Sequence, residues 1–436
     1  MTLPHIEVVA KTYRPYQPEQ TLLLPPALED WLPEGHLARF VSDVVDELDL
    51  SEIEATYEDE ERGFPPYHPR MMVKVLVYAY CTGIYSSRRI QKALGDSVAF
   101  RYLGAGNEPD FRTISGFRMR HGRALEGLFV QILQLCREAG LVKLGRVALD
   151  GSKVKANASK HKAMSYGRMK EREAQLEKEV SALLKEADRT DQSEDARYGR
   201  ESSGDELPAE LARRQSRLEK IRQAKKALED EAKAAPAKDG KKDATPDAKA
   251  QRNFTDPESR SQHTVDGYIQ GYNAQLAVDD AHQVIVAQEV VQSGADTPSM
   301  IPMVETIEAN TGELPAILLA DAGYWSEKND EHLFEQGIDA YIAAGREQCL
   351  GPAETGPRGR IPAGLGARQR MKRKLRTRAG RRHYARRKAI VEPVFGLIKQ
   401  ARGFRQFLRR GLDAVRQEWS LVCTAHNLLK PYGATA

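Results

Sequence analysis

The sequence predicts an α/β protein in which an all-α N-terminal part precedes a mixed-sheet domain interrupted by a charged helical hairpin. Three observations carry this. From Ala27 to about Gly140, apolar residues recur at the three- and four-residue spacing of amphipathic helices. At Gly145 the period changes, and β-branched apolar runs such as RVALDG, QVIVAQEVV and AILLAD follow. Between Arg168 and Ala250, 20 bases and 20 acids surround apolar residues seven apart, the pattern of two solvated helices that share a seam.

Residues 1–26 are Pro-rich and aperiodic, and are expected to form an extended arm. Residues 27–143 are expected to form a helical N-terminal domain. Leu37, Phe40, Val41, Val44 and Val45 mark a first helix; Met71, Met72, Val75, Leu76 and Tyr78 mark another, with Pro69 before it and Gly83 ending it. Phe129, Ile132, Leu133 and Cys136 mark a third long helix. The stretches SSRRIQKALG, VAFRYLGAG and DFRTISGFRMRHG read as short helices joined by Gly turns. With Arg88, Arg89, Lys92, Arg101, Arg112, Arg118 and Arg120 they resemble a helix-turn-helix arrangement, and DNA contact is expected there.

Residues 144–436 are expected to form the mixed-sheet domain, interrupted at 165–252. RVALDG reads as a strand that becomes exposed where it ends, at Asp150. In the insertion, Met169, Leu176, Leu183, Leu211 and Leu218, with Val180 and Ile221, predict a helical hairpin broken near Gly199–Gly204 and followed by the linker AKAAPAKDGKKDATPDAKA. YNAQLAVDD and QVIVAQEVV read as antiparallel neighbours, and a helix follows from Thr297 to about Ala309. AILLAD reads as a short buried strand ending at Asp321, AGYWSEKNDEHLFEQG as a helix and IDAYIAA as a strand. A basic linker and a late helix packed on the sheet complete the order, with Pro393 expected in the first turn of its helix because it cannot donate to an interior helical bond.

The formal net charge of +4 conceals a strong asymmetry. Thr355–Arg410 holds 19 Lys or Arg and one acid, Glu392, leaving 47 bases and 61 acids in the other 380 residues. Such a block suits a polyanion, since each phosphate it neutralises releases counterions; a disordered solubilising tail is the alternative. The expected DNA contacts are Arg373, Lys374, Arg376, Arg378, Arg381, Arg382, Tyr384, Arg387, Lys388, Lys399, Arg402 and Arg405. With 41% hydrophobic and 29% charged residues, the composition excludes a collagen, a disulfide scaffold and a wholly disordered chain. The four cysteines form no CxxC pair, which argues against a structural zinc site or a disulfide framework. With no signal-peptide pattern at the N-terminus and no membrane-length apolar run, a cytoplasmic protein without membrane contact is expected.

Asp150 and Asp321 share a setting, each ending a buried apolar strand. A charge there costs desolvation energy unless it is paired or bound to a cation, and ligands of open α/β sheets gather at the carboxyl ends of strands. Taken singly, such an aspartate serves as a helix N-cap as readily as a ligand; as a pair on adjacent strands the two would converge on one site. Hard divalent cations prefer such oxygen donors. Glu392, the lone acid of the basic block, is either a salt-bridge partner or a third ligand, with Tyr384, Arg387 and Lys399 near it in sequence. His263, His383, Glu289 and Glu327 read as structural or surface groups, Glu327 being the substitute ligand should Glu392 not serve.

The motifs VALDGSKVKANAS, LLADAGYWSEKN and YARRKAIVEPVFGLIKQARGFRQFLRRGL, with the tail EWSLVCTAHNLLK, resemble those of bacterial insertion-sequence transposases of the Asp-Asp-Glu class, which have a ribonuclease-H-like catalytic domain. PRMMVKVLVYAYCTGIYSSRRI and DFRTISGFRMRH are similar to the helical domain that precedes it. In the Tyr-Arg-Glu-Lys signature of this group three residues separate Arg from Glu; here Arg387 leaves four and Lys388 three, so either could take the Arg role. The resemblance implies that Asp150, Asp321 and Glu392 are both the catalytic residues and the ligands of two Mg²⁺ ions, with Mn²⁺ as the alternative ion. It also implies cleavage at transposon ends and strand transfer into target DNA by a two-metal mechanism, and a homo-oligomer assembled on DNA. A metal-dependent nuclease without strand transfer and a non-catalytic DNA-binding derivative remain the alternatives.

Overall fold

A computed structural model of the chain describes residues 27–57, 65–198, 209–234, 245–265, 267–345, 356–357, 359, 362 and 364–435. The expected N-terminal arm, the break near Gly199–Gly204, much of the linker after the hairpin, and Cys349 lie outside the described residues. The helical part comprises α1 (Leu37–Glu47), α2 (Ser51–Glu54), α3 (Pro69–Cys81), α4 (Ser87–Asp96), α5 (Val98–Leu103), α6 (Phe111–Arg120) and α7 (Gly122–Glu138). Its boundaries follow local chemistry. Pro69 is the first residue of α3, behind an N-cap, His68, whose ring accepts the Arg70 N–H, and Gly83 (φ +76°) follows the helix in the left-handed region. Asp110 caps α6 by accepting from the N–H groups of Arg112 and Thr113.

The sheet is built from β1 (Val147–Lys155), β4 (Arg260–Thr264), β5 (Gly267–Asp279), β6 (Ile285–Val291), β7 (Ile317–Ala320) and β8 (Asp339–Ile342). Its order is β4-β5-β1-β7-β8, with β6 also paired to β5. β5 runs antiparallel to β1, β4 and β6, whereas β1, β7 and β8 are parallel, so the sheet is mixed. Between β1 and β4 lies the insertion: β2 (Ala163–Ser165), α8 (Tyr166–Tyr198), α9 (Ala209–Ala234) and β3 (Gln251–Asn253). The two long helices bury their own small cluster, Tyr166, Met169, Leu176, Leu218, Ile221, Ala224 and Leu228, apart from the main core. Helices α10 (Met300–Thr311) and α11 (Glu327–Glu335) occupy the connections on either side of β7.

The expected basic linker is helical: α12 (Ala367–Arg376), α13 (Arg378–Gly396) and a π-helical turn at Leu397–Ala401 precede α14 (Leu412–Thr435). Two elements differ from what the sequence predicts. The strand at Asp150 does not end there but continues to Lys155, because the thirteen-residue β5 pairs with it along its whole length. Pro393 lies in the last turn of α13 rather than in a first turn. Proline there deprives the Ala389 carbonyl of its helical donor, and Gln283 Nε2 donates to that carbonyl instead, at 3.0 Å.

α14 is buried on every side from Glu418 to Leu428 and joins the two parts of the chain, packing on α7, α3 and β6 at once. Asn427 substitutes for a strand neighbour: its Oδ1 accepts from Ile285 N–H and its Nδ2 donates to Ile285 O, both at 2.8 Å. One continuous apolar cluster therefore runs from Leu32 in the helical part to Leu428. Arg118, read in the sequence as a surface cation, is buried in this region and donates to Tyr85 O, Tyr80 Oη and Ser87 Oγ. Among the described residues no helix is long and apolar enough to cross a membrane.

Candidate functional site

β1 carries Val147, Ala148 and Leu149 through the core and then presents Asp150. β7 pairs with β1 only as far as Leu149↔Ala320 and then stops, so Asp321 leaves the sheet beside Asp150. Local sequence enforces the exit: Asp321 turns back to cap a 3-10 turn over Ala322–Tyr324, its Oδ1 accepting the Gly323 N–H at 2.8 Å. The two aspartates thus converge at the point where a parallel pairing ends, in the setting that collects ligands in α/β sheets.

α13 crosses this edge. Its Arg387 is buried and places Nη1 3.1 Å from Asp150 Oδ2. Lys388 is exposed on the other side of the helix, which distinguishes the two candidates for the Arg position. Burial pushes the Asp150 carboxyl from its ordinary 3.8 up to about 6; the Arg387 guanidinium pulls it down, while the Asp321 charge pushes it further up. Burial also raises the Tyr384 hydroxyl, one turn before Arg387, with the guanidinium opposing. Lys399, in the π-helical turn, donates to Ser152 Oγ at 2.5 Å and to Lys153 O at 3.0 Å; its burial lowers the ammonium to about 8.

Glu392 lies on α13 five residues after Arg387 and is solvent-exposed, with its charge felt at the guanidinium. Among the described residues no three His, Cys, Asp or Glu side chains are grouped as a metal site. Asp150 and Asp321 are brought together, and Glu392 flanks them without closing on them.

Reading the sequence missed Asp296. This residue opens a 3-10 turn at Thr297–Ser299, a position that reads as a helix cap, yet its side chain makes no capping bond. Its Oδ1 instead accepts from Asn273 Nδ2 (2.6 Å) and Gln275 Nε2 (2.9 Å), with Lys153 Nζ at 3.4 Å. Gln275 Oε1 in turn accepts from the buried Tyr324 hydroxyl. Two glycines make room: a Cβ on Gly151 would stand 2.7 Å from Asp296 Oδ1, and one on Gly323 would stand 3.0 Å from both Asp296 Oδ2 and Asp321 Oδ1. Polar residues at alternate positions in the otherwise apolar YNAQLAV were the available signal, since Asn273 and Gln275 share one strand face.

The residues expected to contact DNA divide by environment. Arg378, Arg382, Lys388 and Arg405 are exposed, as is Arg376, while Arg373 and Arg381 are half-buried. Lys374 is engaged with β8, 2.5 Å from Asp339 Oδ1, donating to Ala340 O at 2.8 Å and lying over the Tyr341 ring. Arg402 turns inward, its Nη2 3.0 Å from His426 Nδ1. Glu289 pairs with Arg416, His383 stacks on Tyr341, and His263 packs edge-on against Tyr268.

The donor chemistry fits a hard divalent cation. The Asp150 carboxyl is half-buried, pushed up by desolvation and by Asp321, and offset by one guanidinium; positive charge would relieve this field. Residues 26–120 match a family described as "Transposase domain (DUF772)", and residues 237–428 match one described as "Transposase DDE domain". The second match encloses Asp296, Asp321 and Glu392 and begins after Asp150. No curated protein and no solved structure matches the chain.

Proposed function

Since this chain belongs to the insertion-sequence transposases of the Asp-Asp-Glu class, enzymes that act on DNA, we propose that it cleaves the ends of its element and joins them to target DNA with divalent metal ions, most simply Mg²⁺. The observation that carries this is the convergence of Asp150 and Asp321 where the β1–β7 pairing ends, with the Asp150 carboxyl pushed up to about 6. Asp150 and Asp321 would hold the metal, with Glu392 completing the ligand set from α13. The bound cations would activate the attacking oxygen and stabilise the leaving one, which is what paired ions supply in phosphoryl displacement. The mixed sheet with its carboxylates on the central strand and on the parallel strand beside it supports a ribonuclease-H-like reading of the catalytic part.

The protein's own groups do the rest. Arg387 holds Asp150 in place and offsets its charge until metal binds. Lys399, partly neutral near its lowered pKa, anchors the π-helical turn on β1 beside the site. The exposed bases of α12 and α13 would hold DNA phosphates without reading sequence, and the helical part would recognise the element ends. Joining two ends calls for at least two copies on the DNA.

Purified protein is incubated with labelled end-containing DNA, a target plasmid and Mg²⁺. Wild type gives cleaved ends and end–plasmid joints, and Asp150→Asn and Asp321→Asn give neither. Full Mg²⁺-dependent cleavage by Asp150→Asn would sink the assignment. Cleavage without joints would favour a nuclease.

A further inference from the structure

Beside Ser152 and Gly151 opens a cleft of about 830 Å³ that the carboxylate chemistry does not use. Lys153, Lys155, Lys160, Lys399 and Arg405 line it, and among the described residues no acid does. Most of these bases lie outside the segment whose composition signals a polyanion. The opposite wall is the β4–β5 hairpin, whose tip presents Val265 and Tyr268 to solvent, Tyr268 66% exposed. The Tyr268 ring is held upright by its cross-strand partner His263, with ring centroids 5.1 Å apart. An exposed aromatic braced over a groove of cations is the arrangement that binds unpaired nucleic acid, because cations follow the backbone while a ring stacks on any base. A base inside a duplex has both faces covered by its neighbours and offers such a ring nothing.

We propose that this cleft seats an unpaired DNA strand next to the catalytic carboxylates, with Tyr268 stacking on one of its bases and Lys155 and Lys160 taking its phosphates. The inference rests on the transposase reading for its choice of DNA and extends it: the enzyme holds the end of its substrate opened, with one strand drawn along β1. The cleft begins at the two residues that follow Asp150 in β1, so a strand lying in it leads directly to the site.

The test is metal-free binding by fluorescence anisotropy, using a short duplex with and without a single-stranded oligothymidine extension. Wild type is expected to bind the extended DNA more tightly. Tyr268→Ala should weaken binding to the extended DNA by roughly 5- to 150-fold, the range for loss of one base–aromatic stack. It should leave binding to the blunt duplex nearly unchanged, and Tyr268→Trp should restore the preference. The double variant Lys155→Gln/Lys160→Gln should reduce the salt slope on the extended DNA by about 1.4, since each single-strand phosphate contact contributes about 0.7. Equal losses on both DNAs, or none on the extended one, would overturn the proposal. Because no metal is present, these outcomes are independent of whether Asp150→Asn abolishes cleavage.

Discussion

Asp150→Asn should change stability as well as chemistry, because the Asp150 carboxyl is half-buried. In the metal-free protein the Asp150 carboxyl is held at about 6 against an ordinary 3.8, by burial first and by Asp321 second, with Arg387 opposing. A carboxyl whose folded pKa is raised favours folding while protonated and opposes it once ionised, so its cost is absent below about 3.8 and complete above about 6. The full difference corresponds to about 3 kcal/mol, each pKa unit being worth about 1.4 kcal/mol. Somewhat over half of that cost is already present near pH 5, so wild type should lose about 1.4 kcal/mol relative to Asp150→Asn on going from about pH 5 to about pH 8. Losing the ion pair to Arg387 adds an offset to the variant, but a guanidinium does not titrate in this range, so the slope alone is diagnostic.

The assay is urea denaturation of both proteins in EDTA across that pH range. The stability difference between variant and wild type should rise with pH by the amount given. Adding Mg²⁺ at the upper end should then stabilise wild type and leave the variant unmoved, since only a ligand that binds the folded state shifts the equilibrium. A stability difference that stays flat with pH would show that Asp150 does not ionise against a buried field, and the argument for a cation site would lose its basis.

Two other outcomes follow from the same geometry. Gln275→Leu, which leaves the buried Tyr324 hydroxyl without its acceptor and removes one of the donors to Asp296 Oδ1, should cost about 1–3 kcal/mol for the orphaned hydroxyl, read as a lowered thermal midpoint; an unchanged midpoint would remove the Asp296–Gln275–Tyr324 chain as a support of the site. Arg387→Ala should abolish Mg²⁺-dependent cleavage, whereas Lys388→Ala, altering a side chain on the exposed face, should change only DNA affinity; the reverse result would give the Arg role to Lys388.

What could be read from the sequence is what neighbours in the chain determine. The helices of the N-terminal part, the antiparallel pair β5–β6 and the strand before Asp321 all announce themselves through period and capping residues within a few positions. The failures share a cause: each depends on a partner far away in the chain. Asp150 looked like a strand end because RVALDG loses its apolar run there, yet β5, more than a hundred residues later, extends the strand to Lys155. Pro393 looked impossible inside a helix because no local donor replaces the bond it breaks, yet Gln283 reaches Ala389 O from the turn between β5 and β6. Arg118, Lys374 and Arg402 looked like surface cations because charge is costly to bury alone, and each has its compensating oxygen, ring or imidazole on a distant element. Asp296 is the limiting case. Its sequence context, an acid before Thr297 and Pro298, satisfies the rule for a helix start so well that nothing prompts a second reading. Only the amides of Asn273 and Gln275, offered by one face of β5, draw the carboxylate away from its own backbone and towards Asp321. A carboxylate of the site disguised as a cap can be recognised only when its competing donors are known, and those donors are a property of the sheet.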